Sequence, residues 1–323
     1  MERKRDFQKR IKILNIGVKM KFLGITKENV QKTDINCFND LPDSPNVTAK
    51  DLLNLNKTYN RKKYTHVRLS ELAVFCPREY VLGYKYGKVK EAFTEYPLMQ
   101  QFELGSALHF WYQNFSKVFK DVLYGYWKCW ACGNLRGKDK PFFGTRKEVK
   151  AMPCEHCGAK PDATFYHEFY FRVDEPYRVV GKIDGFIMKD NELYIIDFKT
   201  FFEKGEFPKP QDKIQLAGYM FFYDLLPDEL KVPYKVNTSA GYLYYISKKF
   251  NYRDSILAYE VQKEDKLIEP IKKNVGMFTR GVKEGIIPEP FDICIRSGWS
   301  RGKAKNCYLR DLCRQEYEAS LHI

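Results

Sequence analysis

The 323-residue chain lacks any uninterrupted apolar run approaching the roughly 20 residues that a bilayer crossing needs, which excludes a spanning helix. No apolar stretch of signal-peptide length follows the opening Met1-Glu2-Arg3-Lys4-Arg5-Asp6. The expectation is a protein that is not secreted and works inside the cell, cytoplasmic or nucleoid-associated. Internal repeats are also missing. Acidic residues are in short supply, 41 against 55 Lys and Arg, leaving a net charge of +14. A surplus of that size favours a polyanionic partner, because each cation that neutralises a phosphate releases a condensed counterion. The positives gather at 1–65 (Arg3, Lys4, Arg5, Lys9, Arg10, Arg61, Lys62, Lys63), around 128–150 and over Arg296–Arg314. Aromatics are not lacking. The chain carries 23 Tyr and 24 Phe, and 44% of its residues are apolar, too much for a solvated chain and enough for a large core.

The cysteines stand at 37, 76, 129, 132, 154, 157, 294, 307 and 313. In a reducing compartment clustered thiols suggest metal rather than disulfide. Cys129-Trp130-Ala131-Cys132 and Cys154-Glu155-His156-Cys157 are paired knuckles, each followed directly by glycine, Gly133 and Gly158. A short turn of this kind points two sulfurs inward and glycine relieves the tight backbone after it, so the four sulfurs suit structural Zn²⁺. The lysines and arginines around them, such as Lys138, Lys140, Arg146, Lys147 and Lys150, are placed either to touch phosphates or to form a solvated face. The other cysteines, Cys76, Cys294, Cys307 and Cys313, suit either a second zinc or a [4Fe–4S] cluster on residue type alone. Cys37 has no assigned role.

The pattern predicts a helix over 65–87 with Ser70 as N-cap, and a long aromatic helix over 97–124 containing Gly105 and His109. It predicts a ribbon at 126–160 and three strands at 164–173, 178–188 and 192–198 forming an antiparallel meander. A helix at 213–226, strands at 240–247 and 256–262, and a helix at 264–283 follow, before Pro288 and Pro290 break the chain.

Candidate chemistry lies in Gly181-Lys182-Ile183-Asp184-Gly185 and Ile195-Ile196-Asp197-Phe198-Lys199. Strand alternation puts Asp197 and Lys199 on one face, and Asp184 on the neighbouring strand can converge with them. An acidic pair beside a lysine among apolar strand residues is costly to bury. Hard divalent ions such as Mg²⁺ take oxygen ligands, so the two aspartates would hold metal against a phosphodiester. Lys199 would orient or deprotonate the attacking water, or offset charge on the phosphoryl oxygens. On the helix after the strand, Gln215 and Tyr219 share a face by their i, i+4 spacing.

Gly105…His109, Gly181-x-x-Asp184, Asp197-x-Lys199 and Gln215-x-x-x-Tyr219, in that order, resemble the motif series of RecB-type nucleases of the PD-(D/E)xK superfamily. The stretch from Ser70 through Cys76-Pro77-Arg78-x-Tyr80 resembles the segment before the core in members with an iron–sulfur staple, the AddB type and the CRISPR-associated exonucleases. The resemblance runs from about Ser70 to Cys313. It implies an α/β (α+β) fold, a restriction-endonuclease-like core whose central mixed sheet is flanked by helices. It implies that His109, Asp184 and Asp197 are ligands of Mg²⁺ or Mn²⁺ with the Phe198 carbonyl beside them, and that Lys199 is the catalytic lysine. Gln215 and Tyr219 would line the site and the DNA path, and Glu168 matches a position often acidic in the family. Cys76, Cys294, Cys307 and Cys313 would hold a [4Fe–4S] cluster. The zinc ribbon is an addition to the family pattern, free to grip DNA, bind a partner or staple an inserted loop.

The predicted organisation is a basic arm or helical cap at 1–65, a helical part with Cys76 and His109 at 66–125, and the ribbon at 126–160. The nuclease core spans 161–290 and the tail that closes the cluster 291–323. The predicted function is a metal-dependent deoxyribonuclease, an exonuclease on single strands or DNA ends in repair, recombination or replication, with a helicase or recombination partner and no membrane. Two other readings are a DNA-binding adaptor on a nuclease-like scaffold, whose affinity would ignore divalent ions, and a site-specific duplex endonuclease.

Overall fold

Burial alternates along Leu123–Cys129 and Phe169–Val173, whereas 195–198 is buried throughout, as a strand covered on both faces must be. The computed structural model describes residues 65–86, 96–119, 121–203, 205–249, 256–300, 307 and 309–321, all within a compact unit running from Tyr59 to Ile323. The predicted N-terminal arm up to residue 64, Cys37, and positions 301–306 and 308 of the basic C-terminal stretch lie outside the described residues.

The main sheet contains β2 (Leu123–Cys129), β3 (Phe143–Gly144), β4 (Thr164–His167), β7 (Gly185–Lys189), β8 (Glu192–Phe201), β9 (Val236–Ser247) and β10 (Ile256–Gln262). Its order is β10-β9-β8-β7-β2-β3, with β4 also paired to β2. It is mixed. β8 and β9 run parallel and the other neighbours antiparallel. A parallel pair needs a crossover, and helix α4 (Pro210–Asp224) lies within it. A smaller sheet is formed by β1 (Val67–Arg68), β5 (Phe169–Val173) and β6 (Val179–Ile183) in the order β1-β6-β5.

Along β8, Leu193 and Ile195 enter the larger core with Leu216, Met220 and Phe222 of α4. The alternate residues Ile196 and Phe198 enter a second core with Phe119, Leu123 and Trp127. Asp197 and Lys199 are therefore in phase with Leu193 and Ile195, on the α4 side of the sheet. Helix α5 (Asp265–Glu284) closes that side with the stripe Ile268, Ile271, Val275 and Phe278.

Several predicted elements divide. The segment predicted as one helix over 65–87 is β1, a 3-10 turn (Leu69–Val74) and helix α1 (Pro77–Tyr86). Ser70 lies inside that turn rather than capping a helix. Pro77 explains the break, since the residue before a proline is pushed to an extended conformation. The long aromatic helix ends early: α2 spans Tyr96–Asn114 and is followed by β2. Asn114 marks its end by donating to the Phe110 carbonyl at 2.9 Å while its Oδ1 accepts the Tyr166 N–H at 2.7 Å.

The predicted meander is broken twice, once at Glu168 between β4 and β5 and once at Asp184 between β6 and β7. At both points the chain passes from one sheet to the other. The β5–β6 and β7–β8 pairs are antiparallel as expected. Near the C-terminus, α6 (Asp292–Arg296) and α7 (Arg310–Ser320) pack on α1 through Leu82, Cys294, Trp299, Leu309 and Cys313.

The motif glycine Gly181 faces Phe171 across the β5–β6 pair, and a Cβ there would lie 2.4 Å from that ring and 2.9 Å from Leu69 Cδ1. Gly181→Val is expected to displace the ring and lower stability by about 1–3 kcal/mol through overpacking. Urea unfolding at unchanged m-value checks this.

Candidate active site

Asp184, Asp197, Lys199, His109, Gln215, Tyr219 and Phe198 all line one cleft, together with Glu168 and Gln113. Every predicted catalytic side chain is thus brought to one place. Asp184 sits at the sheet switch after β6, and its Oδ2 accepts the Phe198 N–H of β8 at 2.7 Å. The same oxygen lies 3.6 Å from His109 Nδ1 on α2. The His109 ring packs edge-on against Phe198, with centroids 5.9 Å apart.

On β8, Lys199 Nζ stands 2.7 Å from Asp197 Oδ2. The ammonium compensates this buried carboxylate, opposing the upward push of burial on its pKa. The ammonium donates to Gln215 Oε1 at 2.6 Å, and Gln215 Nε2 donates to the Tyr219 hydroxyl at 3.1 Å. The shared face of α4 is what makes this chain of contacts.

Two side chains missed in the sequence complete the cleft. Gln113 donates to Glu168 Oε1 at 3.0 Å and to the Asp184 carbonyl at 3.0 Å. Its signal was available, since it lies one helical turn after His109. Lys182 pairs with Glu168 from β6.

The electrostatics follow from burial. Loss of water, reinforced by the Glu168 charge, pushes the Asp184 carboxyl up to about 7. Burial raises Asp197 to about 6 against the pull of Lys199. Burial lowers His109 despite the charges of Asp197 and Glu168, so its imidazole is neutral and keeps a lone pair. For Lys199, burial works downward, but Asp197 and Asp184 outweigh it and raise the pKa, leaving a protonated ammonium.

Three carboxylates and a neutral imidazole lining one cleft make a set that fits a hard divalent cation. His109, Asp184 and Asp197 could hold it, with the Phe198 carbonyl adjacent.

The cysteines fall into two places. Sγ atoms of Cys129, Cys132, Cys154 and Cys157 all lie within 4.8 Å of one another, with Cys129–Cys157 at 3.8 Å and Cys132–Cys154 at 3.9 Å. A tetrahedral ion about 2.3 Å from each sulfur needs sulfurs about 3.8 Å apart, so the quartet fits one metal ion. The two knuckles repeat the same turn: Gly133 N–H donates to Cys129 O at 2.9 Å and Gly158 N–H to Cys154 O at 2.8 Å. Both glycines have left-handed φ, 72° and 69°, as their place in the motif requires. Arg136, which sequence reasoning missed, is fully buried and joins the halves, donating to Glu155 at 2.9 Å and to the Met152 and Pro153 carbonyls.

Cys76, Cys294, Cys307 and Cys313 line a second, smaller pocket between α1 and the C-terminal helices. Arg78 donates from Nε to Cys313 Sγ at 3.2 Å and also holds the Pro288 carbonyl at 2.8 Å. Burial pushes the Cys76 thiol up to about 12.

A mixed sheet that gathers buried aspartates, a lysine and a histidine in one cleft defines the class to which the chain belongs. Residues 67–314 match the family model described as the PD-(D/E)XK nuclease superfamily. The protein is a member of that superfamily. Among solved structures, one described as "Crystal structure of SSO0001" is 15% identical, covering 82% of this chain and 93% of that one with a TM-score of 0.35. No curated protein gives a significant match to the chain. Among the described residues, no helix is long and apolar enough to cross a membrane.

Because the folded state raises the Asp184 pKa, it holds that proton more tightly than the unfolded chain. The corresponding stability is present at low pH and lost as pH rises through about 7. In metal-free protein Asp184→Asn should therefore raise the melting temperature most at pH 8 and less at pH 5, where the unfolded carboxyl has ionised but the folded one has not. Thermal melts of both proteins in chelator, at both pH values, check the difference.

Proposed function

We propose that this protein is a Mg²⁺- or Mn²⁺-dependent deoxyribonuclease, an exonuclease that hydrolyses phosphodiester bonds of single-stranded DNA or DNA ends. The observation that carries the reading is the convergence of Asp197, Asp184 and His109 in one cleft, with Lys199 beside Asp197. Such a set has no structural need to be buried, and leaving it uncompensated destabilises the fold. Membership of a nuclease superfamily supports the same chemistry.

His109, Asp184 and Asp197 would hold the ion, and when bound it polarises the scissile phosphate and makes water a better nucleophile. Lys199 would orient or deprotonate the attacking water, or offset charge gathering on the phosphoryl oxygens, from its place beside Asp197. Gln215 Oε1 fixes the ammonium by accepting its hydrogen bond at 2.6 Å, and Tyr219 in turn fixes Gln215 by accepting from its Nε2. Gln113 holds Glu168 and the Asp184 backbone in place from α2. The net charge of +14 supplies attraction for a polyanion. A silent DNA-binding scaffold would have no use for the continuous Lys199–Gln215–Tyr219 chain.

The ribbon quartet is read as a structural Zn²⁺ site. The other four cysteines are read as the ligands of a [4Fe–4S] cluster. The four line one pocket, and four thiolates are the usual ligation of such a cluster. The cluster would tie α1 to α6 and α7.

Degradation of end-labelled single- and double-stranded DNA with Mg²⁺ or Mn²⁺ tests the activity. Lys199→Ala is expected to lower the rate by about 10²-fold or more while leaving DNA binding intact. Inability of metal-loaded wild type to cut DNA of any form would overturn the reading. Anaerobically purified protein should be brown, with about four irons per chain if the Cys₄ cluster forms. Cys313→Ala should bleach it and lower the melting temperature of the whole protein. A colourless anaerobic preparation with two zincs would replace the cluster by a second zinc site.

A further inference from the structure

We propose that Trp130, carried on the first ribbon knuckle, is a nucleobase-stacking residue that receives a single strand at the mouth of the cleft. This inference rests on the nuclease reading of that cleft. Trp130 lies between Cys129 and Cys132 and is 53% exposed, although Cys129 beside it is fully buried. Its indole is not isolated. The ring lies 4.3 Å from Phe165, tilted by 36°, and 6.1 Å from Phe110. Phe165 and Phe110 both line the cleft that holds Asp184 and Lys199. Just past the end of α2, Phe115 meets Phe110 at 6.0 Å and is 49% exposed, with the Arg146 guanidinium 5.5 Å over its face.

An aromatic track thus runs continuously from the cleft wall to the ribbon surface, with a cation along it. Cations also stand at the cleft end. Lys128 is paired with Phe165 across β2 and β4, and both Lys128 and Lys182 act on His167 at the cleft wall. Aromatic faces beside positive charge, leading into a phosphodiester site, match the chemistry of an unstacked nucleic-acid strand. Bases within a duplex have their faces covered by their neighbours, so the track selects single strands or frayed ends. If Trp130 served only to seat the ribbon on α2, its packing alone would matter and the bases of the ligand would not.

The test separates base from backbone. Binding is measured by fluorescence anisotropy with two labelled strands of equal length and charge, oligo(dT) and an abasic analogue, in the Lys199→Ala background to prevent cleavage. Introducing Trp130→Ala should weaken oligo(dT) binding by about 5- to 150-fold and affect the abasic strand little. Trp130→Leu, which keeps an apolar contact with Phe165 but offers no aromatic face, should show the same selective loss with zinc content unchanged. Equal losses on both strands, no loss on either, or no binding of oligo(dT) would each overturn the proposal. Cleavage by wild type together with equal losses would leave the nuclease reading standing and remove the stacking role. A selective loss without cleavage by wild type would do the reverse.

Discussion

Negative charge buried faster than it is neutralised is the constraint from which the rest of this structure follows. The inner face of β8 begins as ordinary core, with Leu193 and Ile195 fully buried, and continues in the same phase to Asp197 and Lys199. A single ammonium faces Asp197, while Asp184 and Glu168 stand nearby, so desolvation lifts both aspartates well above the usual carboxylate range. Each acid is then held by a different element: Asp184 by a backbone N–H of β8, Glu168 by Gln113 of α2, and Asp197 by the lysine that α4 fixes through Gln215. Groups anchored from independent directions cannot separate without breaking the core. A cation entering the cleft would therefore meet preformed ligands and spend little on ordering them.

The acids stand where they do because the chain changes sheets there. Glu168 and Asp184 are the residues between β4 and β5 and between β6 and β7, the two places where the backbone leaves one sheet for the other. A residue at such a switch has no ladder partner on either side and can turn its carboxyl into the gap between the sheets. Gly181 leaves room for the Phe171 ring against β6 just before the switch.

Part of the candidate site was legible in the sequence from short-range periodicity, while His109 was marked by the family resemblance. Asp197 and Lys199 share a face by strand alternation, and Gln215 and Tyr219 by one helical turn; both relations survive any tertiary arrangement. The knuckles were legible for the same reason, each being a local turn closed by glycine. What local pattern could not reveal were the strand breaks, because Glu168 and Asp184 sit in sequences that alternate as if uninterrupted. The end of α2 was hidden too. Asn114 terminates the helix by reaching Tyr166, a contact across 52 positions that no local pattern carries. Arg136 escaped notice for a related reason: a basic residue in a basic segment reads as surface until its buried partners, Glu155 and two carbonyls, are known.

The ribbon and the cleft are mechanically one object. Cys129 is the last residue of β2, and the first residue of that strand, Leu123, pairs with Ile187 of β7 in the main sheet. Between them, β2 carries β4 in register, Tyr126 opposite His167 and Lys128 opposite Phe165, and β4 supplies one wall of the cleft up to Glu168. A strand transmits position along its length because its ladder bonds fix every second residue. An ion held by the four ribbon sulfurs would therefore fix the end of β2, the register of β4 and the approach of Phe165, not only the fold of the insertion. Releasing that ion would loosen the cleft wall from the outside while leaving Asp197 and Lys199 on β8, which belongs to the other side of the cleft, in place.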